Sequence, residues 1–554
     1  MKLSLFSSAG IGALCAATSV LAIDPIVIKG SKFFNEKTGE QFFFKGIAYQ
    51  PRTGLTTENP DPLADTVGCK RDVELFKDLG INSIRVYEVD YNKNHDTCMK
   101  LLEDAGIYLM LDMPSPKYSI NRAQPYWDHD TMSHWAAKVD AFAKYPNLVG
   151  WIAGNEVAND KDTTPSAAFV KAAIRDMKTY LKSKGLKTPV GYADNDDMEI
   201  RMNLINYFNC GDEETRADFY GINTYRWCGD DATFQSSGYS DITKNMTDYT
   251  IPSLMTEYGC NLVRPRVFHE VDSILGSDMN EIFSGGIMYE FTEEDNNYGV
   301  VKVSYGSSKV EKTEDYDNLK KVYTKDVPKG VKMSEYKPSG KDSVCPQVSS
   351  VWKVKGDTLP PTPSSARCQC MIDSLGCTVK KPELNADEGK ALGEVIGNIC
   401  GQTDCKDISY DTSKGVYGNY AACESLQRSA WALNKNFINS RYTQCEVDGV
   451  DTTIIKSPKQ DDTDVCLAMK DDMGNIAAPI TSSDDDGEEL GNGDDSDEKP
   501  GSGNSDDDED EDEDEDDESS SRKSSKTSAG SRPLVSRGVV QLVAGAAALA
   551  LVAF

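Results

Sequence analysis

Histidine is scarce in this chain of 554 residues, with four in all, at positions 95, 129, 134 and 269. No two of them have the spacing of a zinc-binding pair, which argues against a histidine-based metal enzyme. No Gly-x-Gly-x-x-Gly motif follows any candidate strand, so the main nucleotide-binding class is also excluded. We therefore expect neither a metal nor a cofactor.

The balance and placement of charge give little support to nucleic-acid binding. The chain has 59 Lys and Arg against 90 Asp and Glu, a formal net charge of −31, and no basic patch with interleaved aromatics occurs. Residues 484–518 alone hold 22 acids and one Lys, about two thirds of the acidic excess. The remainder has ordinary apolar and aromatic content, which excludes a wholly disordered protein. The full chain of 554 residues leaves room for about three or four domains.

The amino-terminal residues have the pattern of a secretory signal. A charged start, Met1-Lys2, precedes an apolar run at 3–21 and a small residue, Ala22. This pattern predicts a signal peptide over residues 1–22 and a mature chain that begins at Ile23.

The carboxyl terminus has the pattern of a GPI-anchor signal. The last 16 residues, 539–554, are apolar but shorter than the about 20 residues that span a bilayer. The small residues Ser528-Ala529-Gly530 and an eight-residue spacer precede them. We expect cleavage with attachment of the lipid at Ser528 and loss of residues 529–554. The alternative is a carboxyl-terminal transmembrane helix. It fits less well, because two apolar ends in a secreted protein are better explained by two cleaved signals.

The cysteines agree with secretion. Removing Cys15 with the signal leaves 14, an even number, as expected where disulfides form. Six lie up to Cys345 and eight from Cys368 to Cys466, so each group is expected to close its own bridges. Two close spacings in the second group, 368 with 370 and 400 with 405, also suit zinc, but an extracellular chain favours disulfides.

Strands and helices alternate through the first half. Eight β-rich runs can be counted, at 42–49, 82–87, 107–112, 148–154, 189–192, 219–225, 253–258 and 285–291. Stretches with helical periodicity separate most of them, at 70–79, 98–103, 131–144 and 165–184. This count over about 300 residues predicts a (β/α)8 TIM barrel over residues 23–330 rather than an open doubly wound sheet.

Polar side chains at the carboxyl ends of barrel strands are the expected site of chemistry. The sequence places there Gln50, Tyr87, Asp112, Asn155, Glu156, Tyr225, Glu257 and Tyr289. One glutamate that ends an apolar strand is more often structural, but Glu156 on strand four and Glu257 on strand seven form a pair, which favours catalysis. Paired carboxylates without a metal or nucleotide motif indicate glycosidic-bond chemistry, in which one protonates the leaving oxygen and the other attacks the anomeric carbon.

Five motifs in this order resemble glycoside hydrolase family 72, the fungal β-1,3-glucanosyltransferases of the cell wall. The motifs are Phe44-Lys-Gly-Ile-Ala-Tyr-Gln50-Pro51, Gly154-Asn-Glu156-Val157, Gly221-Ile-Asn-Thr-Tyr225-Arg-Trp-Cys228-Gly229, Thr256-Glu257-Tyr-Gly259 and Gly286-Ile-Met-Tyr289-Glu-Phe291. The resemblance implies that Glu156 is the acid/base and Glu257 the nucleophile.

The resemblance also implies that six side chains line the substrate groove: Gln50, Tyr87, Asp112, Asn155, Tyr225 and Tyr289. It implies the bridges Cys69–Cys98, Cys210–Cys345 and Cys228–Cys260. Arg226 departs from the family pattern, where a shorter or acidic residue is expected.

The second half is expected to be a small, mostly helical disulfide scaffold. A linker over 331–366 leads to eight cysteines within 367–470, with a helical pattern at 420–436. Eight cysteines allow 105 pairings, so the spacing assigns none. This region is similar to the cysteine-rich family 43 carbohydrate-binding module, whose role is either to bind glucan or to support the barrel.

The remaining features concern the tail and surface. Residues 471–528 are rich in Ser and acids and are expected to form a disordered, extended tether. One glycosylation sequon occurs, at Asn245-Met-Thr247.

Three functions compete. The favoured one is a retaining transglycosylase that cuts an internal β-1,3-glucan linkage, holds the new end on Glu257 and transfers it to another glucan. The protein would then lie on the outer face of the plasma membrane. An endo-β-1,3-glucanase would use water as acceptor, and a wall adhesin would not catalyse at all. The sequence leaves the oligomeric state open.

Overall fold

The computed structural model describes residues 23–52, 61–327, 329–459, 463–471, 473 and 476. The predicted signal peptide, most of the predicted tether, Ser528 and the anchor signal lie outside the described residues. Each helix in the described part of the chain is too short or too polar to span a bilayer.

Eight parallel strands form a closed barrel. Their bounds are β3 Phe44–Ala48, β4 Ser83–Val86, β5 Tyr108–Asp112, β6 Leu148–Asn155, β7 Val190–Asn195, β8 Phe219–Thr224, β9 Ser253–Tyr258 and β10 Phe283–Met288. Neighbouring strands pair in chain order from β3 to β10, and β10 pairs with β3 to close the barrel. The predicted TIM barrel is thus confirmed, with one strand in each predicted run. The last strand ends at Met288, earlier than predicted, because the Glu290 backbone leaves the ladder and its N–H donates to the Tyr298 carbonyl (3.3 Å).

Helices surround the barrel between its strands. They are α1 Thr66–Leu79, α2 Asp96–Asp104, α3 His129–Phe142, α4 Ser166–Ser183, α5 Arg201–Asn209, α6 Tyr239–Asn245, α7 Glu270–Ile274 and α8 Glu314–Tyr323. α1 begins four residues before the predicted helix because the Asp65 side chain accepts hydrogen bonds from the Val67 and Gly68 N–H groups, which caps its first turn. A short hairpin, β11 Val301–Val303 and β12 Val310–Lys312, precedes α8.

An amino-terminal hairpin closes one end of the barrel. It consists of β1 Ile26–Lys29 and β2 Lys32–Asn35. Phe33 is 1% exposed, and its ring lies 5.0 Å from that of Phe44 and 6.0 Å from that of Phe219, the first residues of β3 and β8. The hairpin therefore packs against the amino ends of the strands, which leaves the carboxyl ends for a site.

The predicted linker packs against the barrel. Trp352 is fully buried, with its ring 5.2 Å from that of Tyr207 on α5. Cys345 is joined to Cys210, the residue that follows α5. The segment that leads to the second domain is thus fastened to the barrel by packing and by a covalent bond.

The second domain is small and cross-linked. Its elements are α9 Ser365–Asp373, β13 Cys377–Val379, α10 Ala386–Gln402, β14 Tyr410–Asp411, β15 Val416–Tyr417, α11 Ser425–Asn439 and β16 Thr452–Ile454. Its bridges are Cys368–Cys423, Cys370–Cys466, Cys377–Cys445 and Cys400–Cys405. Both close spacings considered for zinc are therefore occupied by disulfides.

α11 begins five residues later than its sequence pattern predicts. Glu424 and Gln427 form a capping box at its start, each side chain accepting from the other residue's backbone N–H. Cys423, just before this cap, is tied to Cys368. Residues 420–423 are therefore held in a turn despite their helical pattern.

Candidate active site

Glu156 and Glu257 lie at the carboxyl ends of β6 and β9, on the same face of the barrel. Glu257 is the fifth residue of β9 and is 6% exposed. Glu156 directly follows β6, and its backbone has φ 51°, in the left-handed region that residues other than glycine seldom adopt. Its N–H donates to the Ala193 carbonyl of β7 (2.8 Å), which holds this turn against the next strand.

The Glu257 carboxylate is held by three donors. Arg85 Nη1 and the Tyr87 hydroxyl each donate to Oε1 at 3.0 Å, and the Tyr225 hydroxyl donates to Oε2. Burial raises the pKa of Glu257 to about 7, whereas Arg85 and the two hydroxyls act to lower it. The three donors therefore favour the ionised carboxylate, which is the form that can attack carbon.

Arg85 connects four strands of the barrel and was not among the predicted site residues. Its side chain is fully buried and is bidentate to Asp112, with Nε–Oδ1 2.9 Å and Nη2–Oδ2 2.7 Å. Nη2 also donates to Asn155 Oδ1 at 2.9 Å. Arg85 thus links Glu257 on β9 to Asn155, the residue beside Glu156 at the end of β6. A charged residue between two apolar ones within the short strand β4 was the available signal.

Glu156 is positioned by Asn223, a second residue that the sequence analysis missed. Asn223 Nδ2 donates to Glu156 Oε1 at 2.8 Å and to Asn155 Oδ1 at 3.0 Å. Asn223 Oδ1 accepts from the Thr256 hydroxyl at 2.7 Å, which fixes which way its amide points. The side-chain network therefore runs from β6 through β8 to β9.

Gln50 and Asp112 support the site through other residues. The Gln50 Oε1 accepts from the N–H groups of Tyr87 and Glu88, both at 3.0 Å, so it holds the segment that carries Tyr87. Both carboxylate oxygens of Asp112 accept from Arg85. These residues lie at the predicted place, but their contacts orient the side chains that face the carboxylates.

Tyrosines form a wall beside Glu257. The Tyr289 ring centroid lies 6.5 Å from that of Tyr87 and 6.0 Å from that of Tyr225. Tyr298, which was not predicted, lies 5.5 Å from Tyr225 and 5.2 Å from Tyr289. Such rings offer flat apolar faces next to hydroxyl groups, the combination that suits a sugar ring.

The three bridges implied by the resemblance are formed in the barrel: Cys69–Cys98, Cys210–Cys345 and Cys228–Cys260. The last ties the loop after β8, which carries Tyr225, to the loop after β9, which follows Glu257. Arg226, the departure from the family pattern, forms an ion pair with Asp196 (Nε–Oδ2 2.6 Å). In the described part of the chain, no group of three or more His, Cys, Asp or Glu side chains is placed to hold a metal ion.

A closed TIM barrel with two carboxylates at the carboxyl ends of β6 and β9, flanked by tyrosines, defines the site of a glycoside-hydrolase-type enzyme. Residues 15–327 match glycoside hydrolase family 72, described as glucanosyltransferase, and residues 375–452 match the X8 domain. The chain therefore belongs to glycoside hydrolase family 72 and carries an X8 domain, which confirms the resemblance drawn from its motifs.

Named relatives match most of this chain. A 1,3-beta-glucanosyltransferase of Arthroderma benhamiae is 43% identical over 458 residues, covering 78% of this chain and 82% of that protein. The 1,3-beta-glucanosyltransferase GAS2 of Saccharomyces cerevisiae is 42% identical over 427 residues, covering 74% of this chain and 76% of that protein. A solved structure of a mutant of Saccharomyces cerevisiae Gas2p with laminaritetraose and laminaripentaose has a TM-score of 0.70 at 40% identity and covers 78% of this chain and 95% of that one.

Proposed function

We propose that this protein is a retaining β-1,3-glucanosyltransferase, in which Glu257 is the nucleophile and Glu156 the acid/base. The observation that carries the proposal is the Glu257 carboxylate held by Arg85, Tyr87 and Tyr225 on the same barrel face as Glu156. The enzyme cleaves an internal β-1,3-glucan linkage and transfers the new reducing end to the non-reducing end of another glucan chain.

The reaction takes place in two displacements. In the first displacement, a Glu257 oxygen attacks the anomeric carbon while Glu156 gives its proton to the oxygen of the leaving glucan. A glycosyl ester forms on Glu257, and the glucan fragment that carries the original reducing end departs. In the second, Glu156 takes the proton of an acceptor hydroxyl, whose oxygen attacks the same carbon and releases Glu257 as a carboxylate. Two inversions leave the linkage in its original configuration. The donors on Glu257 stabilise the charge it regains.

Tyr87, Tyr225 and Tyr289 are the residues we propose to contact the sugar rings, with Asn155 beside the acid/base. The proposed substrate is supported by the relative whose structure holds laminari-oligosaccharides. The tyrosine wall beside Glu257 supports the same assignment.

Product analysis on a reduced laminari-oligosaccharide tests the proposed function. The alditol marks the original reducing end of each chain. Transfer to a second reduced chain therefore gives a longer product that carries the alditol, whereas transfer to water gives a shorter fragment with a free reducing end. We expect products longer than the substrate. Products that are all shorter would mean an endo-β-1,3-glucanase with water as acceptor, and an unchanged substrate would mean a non-catalytic wall protein.

We propose that a GPI anchor at Ser528 holds the mature protein on the outer face of the plasma membrane, from which it can be transferred to the wall. The support is the apolar terminal segment 539–554 after a small-residue triplet and spacer. Mass spectrometry of the mature carboxyl terminus is expected to find a glycolipid near Ser528. Recovery of the peptide 539–554 from the mature protein would refute the anchor.

We also propose that Asn245 carries an N-linked glycan. It is the last residue of α6 and is partly exposed, which leaves room for a sugar at its amide. Loss of the glycan mass from the peptide that contains residue 245 after an Asn245→Gln substitution would establish the site. An unglycosylated peptide in the wild-type protein would refute it.

A further inference from the structure

One arginine fastens together the two loops that follow β7 and β8. Asp196 comes directly after β7, and Arg226 is the second residue after β8. Arg226 Nε lies 2.6 Å from Asp196 Oδ2, and Arg226 Nη2 donates to the Asp196 carbonyl oxygen at 2.6 Å. Because the planar guanidinium binds a side-chain oxygen and a main-chain oxygen of the same residue, it fixes a direction as well as a distance. The loop after β8 is therefore held against the loop after β7.

The Asp196 carboxylate is buried among several partners. Its Oδ2 also accepts from the Thr224 hydroxyl at 3.0 Å, and its Oδ1 forms an ion pair with Arg201, the first residue of α5. The Arg201 side chain is 6% exposed, whereas that of Arg226 is 31% exposed. Removing Asp196 would leave a buried guanidinium without its counter-charge, which is strongly destabilising. Removing Arg226 leaves Asp196 paired with Arg201, so Arg226 can be tested in a folded protein.

Tyr225 lies between two residues that bind this one carboxylate. Thr224 precedes it and Arg226 follows it, and both donate to Asp196 Oδ2. The backbone on each side of Tyr225 is thus attached to a single buried group. Two residues farther along, Cys228 is joined to Cys260, which ties the same loop to the loop after β9.

The Tyr225 hydroxyl is the group whose place this attachment determines. It donates to Glu257 Oε2, while Arg85 and Tyr87 donate to the other oxygen, Oε1. A hydrogen bond weakens steeply as its angle closes, so a small turn of the Tyr225 backbone would weaken this one. A donor aimed at the nucleophile stabilises the carboxylate only when it is already in place during the reaction.

We propose that Arg226 is a positioning residue, which by holding Asp196 keeps the Tyr225 hydroxyl on the Glu257 carboxylate during both displacements. The proposal rests on the proposed function, because it takes Glu257 as the nucleophile. It adds the residue that keeps one of the three donors in place. A shorter or acidic side chain, which the family pattern leads one to expect at this position, could not make the two contacts with Asp196.

A double-mutant cycle between Arg226 and Tyr225 tests the proposal, with initial rates of laminari-oligosaccharide consumption by the purified mature protein. We expect Arg226→Ala to lower kcat about tenfold and to leave KM within about twofold, because the donor serves the displacement and not binding. Tyr225→Phe, which removes the hydroxyl itself, should lower kcat about 10²-fold. In the Tyr225→Phe background, Arg226→Ala should change kcat by less than about twofold, because the hydroxyl that it positions is gone.

Arg175→Ala is the matched control. Arg175 also forms an ion pair with an aspartate, Asp176, at 2.8 Å between Nε and Oδ1, and its side chain is 21% exposed on α4, outside the site. It should retain the wild-type kcat at a temperature below the melting transition of every variant.

Four results would overturn the proposal. They are an unchanged kcat in Arg226→Ala, a loss confined to KM, an equal loss of kcat in the wild-type and Tyr225→Phe backgrounds, and an equal loss in Arg175→Ala. Failure of the proposed function is a separate result. It is read from the product lengths of the wild-type protein, whereas this proposal is judged by ratios of kcat that count every cleavage, whatever the acceptor.

Discussion

Replacing Glu257 by glutamine is expected to reduce turnover of β-1,3-glucan by at least about 10⁴-fold. A neutral amide is a very poor nucleophile at an anomeric carbon, so the glycosyl ester does not form. The variant should fold, because Arg85 keeps its bidentate bond to Asp112 and the amide can still accept from Arg85 or Tyr87. Initial rates of product formation and the thermal unfolding temperature are the measurements.

Glu270→Gln is the control for neutralising a buried glutamate elsewhere. Glu270 is 4% exposed, and burial raises its pKa to about 7, as for Glu257, while Arg266 lowers it. It begins α7, outside the strands and loops that carry Glu156, Glu257 and the tyrosine wall. We expect Glu270→Gln to retain turnover. If Glu257→Gln works at the wild-type rate, the nucleophile is another residue and the argument from β9 fails.

The barrel could be predicted because its signals are local. Each strand is a short apolar run and each helix has its own periodicity, so the count of eight needs no knowledge of distant contacts. The polar residues at the carboxyl ends of those strands then included both glutamates. The order of the motifs placed the same residues within a known family.

Arg85, Asn223 and Tyr298 were missed because their roles depend on distant partners. Arg85 lies within β4 rather than at its end, and its length carries the guanidinium to Asp112 and Glu257. Asn223 acquires its role only when β8 lies beside β6 and β9. Tyr298 lies after β10, the last strand of the barrel, in a segment without regular periodicity. It becomes part of the tyrosine wall through its contact with Tyr289.

The disulfide pairing of the second domain was likewise beyond local reasoning. Cys370 joins Cys466, 96 residues away, whereas Cys400 joins Cys405, only 5 residues away. Spacing alone does not select the pairing, because loop closure costs only about 0.6 kcal/mol more for each doubling of length, a difference that packing around the sulfurs can outweigh. The packing of α9, α10 and α11 around the buried sulfurs selects one of the 105 arrangements.

Glu156→Gln should behave differently from Glu257→Gln, because its loss depends on the leaving group. An amide cannot protonate the glycosidic oxygen of the leaving glucan, so we expect turnover of glucan to fall about 10²–10⁴-fold. The amide oxygen can still accept from Asn223, so the geometry of the network is retained. The aryloxide of an aryl β-glycoside of a laminari-oligosaccharide needs little protonation to leave, so the first displacement on that substrate should lose much less.

The ratio of the two losses identifies the role of Glu156. In the second displacement an acceptor hydroxyl needs a base, whereas azide is already an anion and needs none, so azide should restore turnover of the aryl substrate in Glu156→Gln. It should not do so in Glu257→Gln, where no glycosyl ester forms. Rates on glucan and on the aryl substrate, with and without azide, give the comparison. Equal losses on both substrates with no azide rescue would assign Glu156 to positioning, since a group that only orients the sugar affects every leaving group alike.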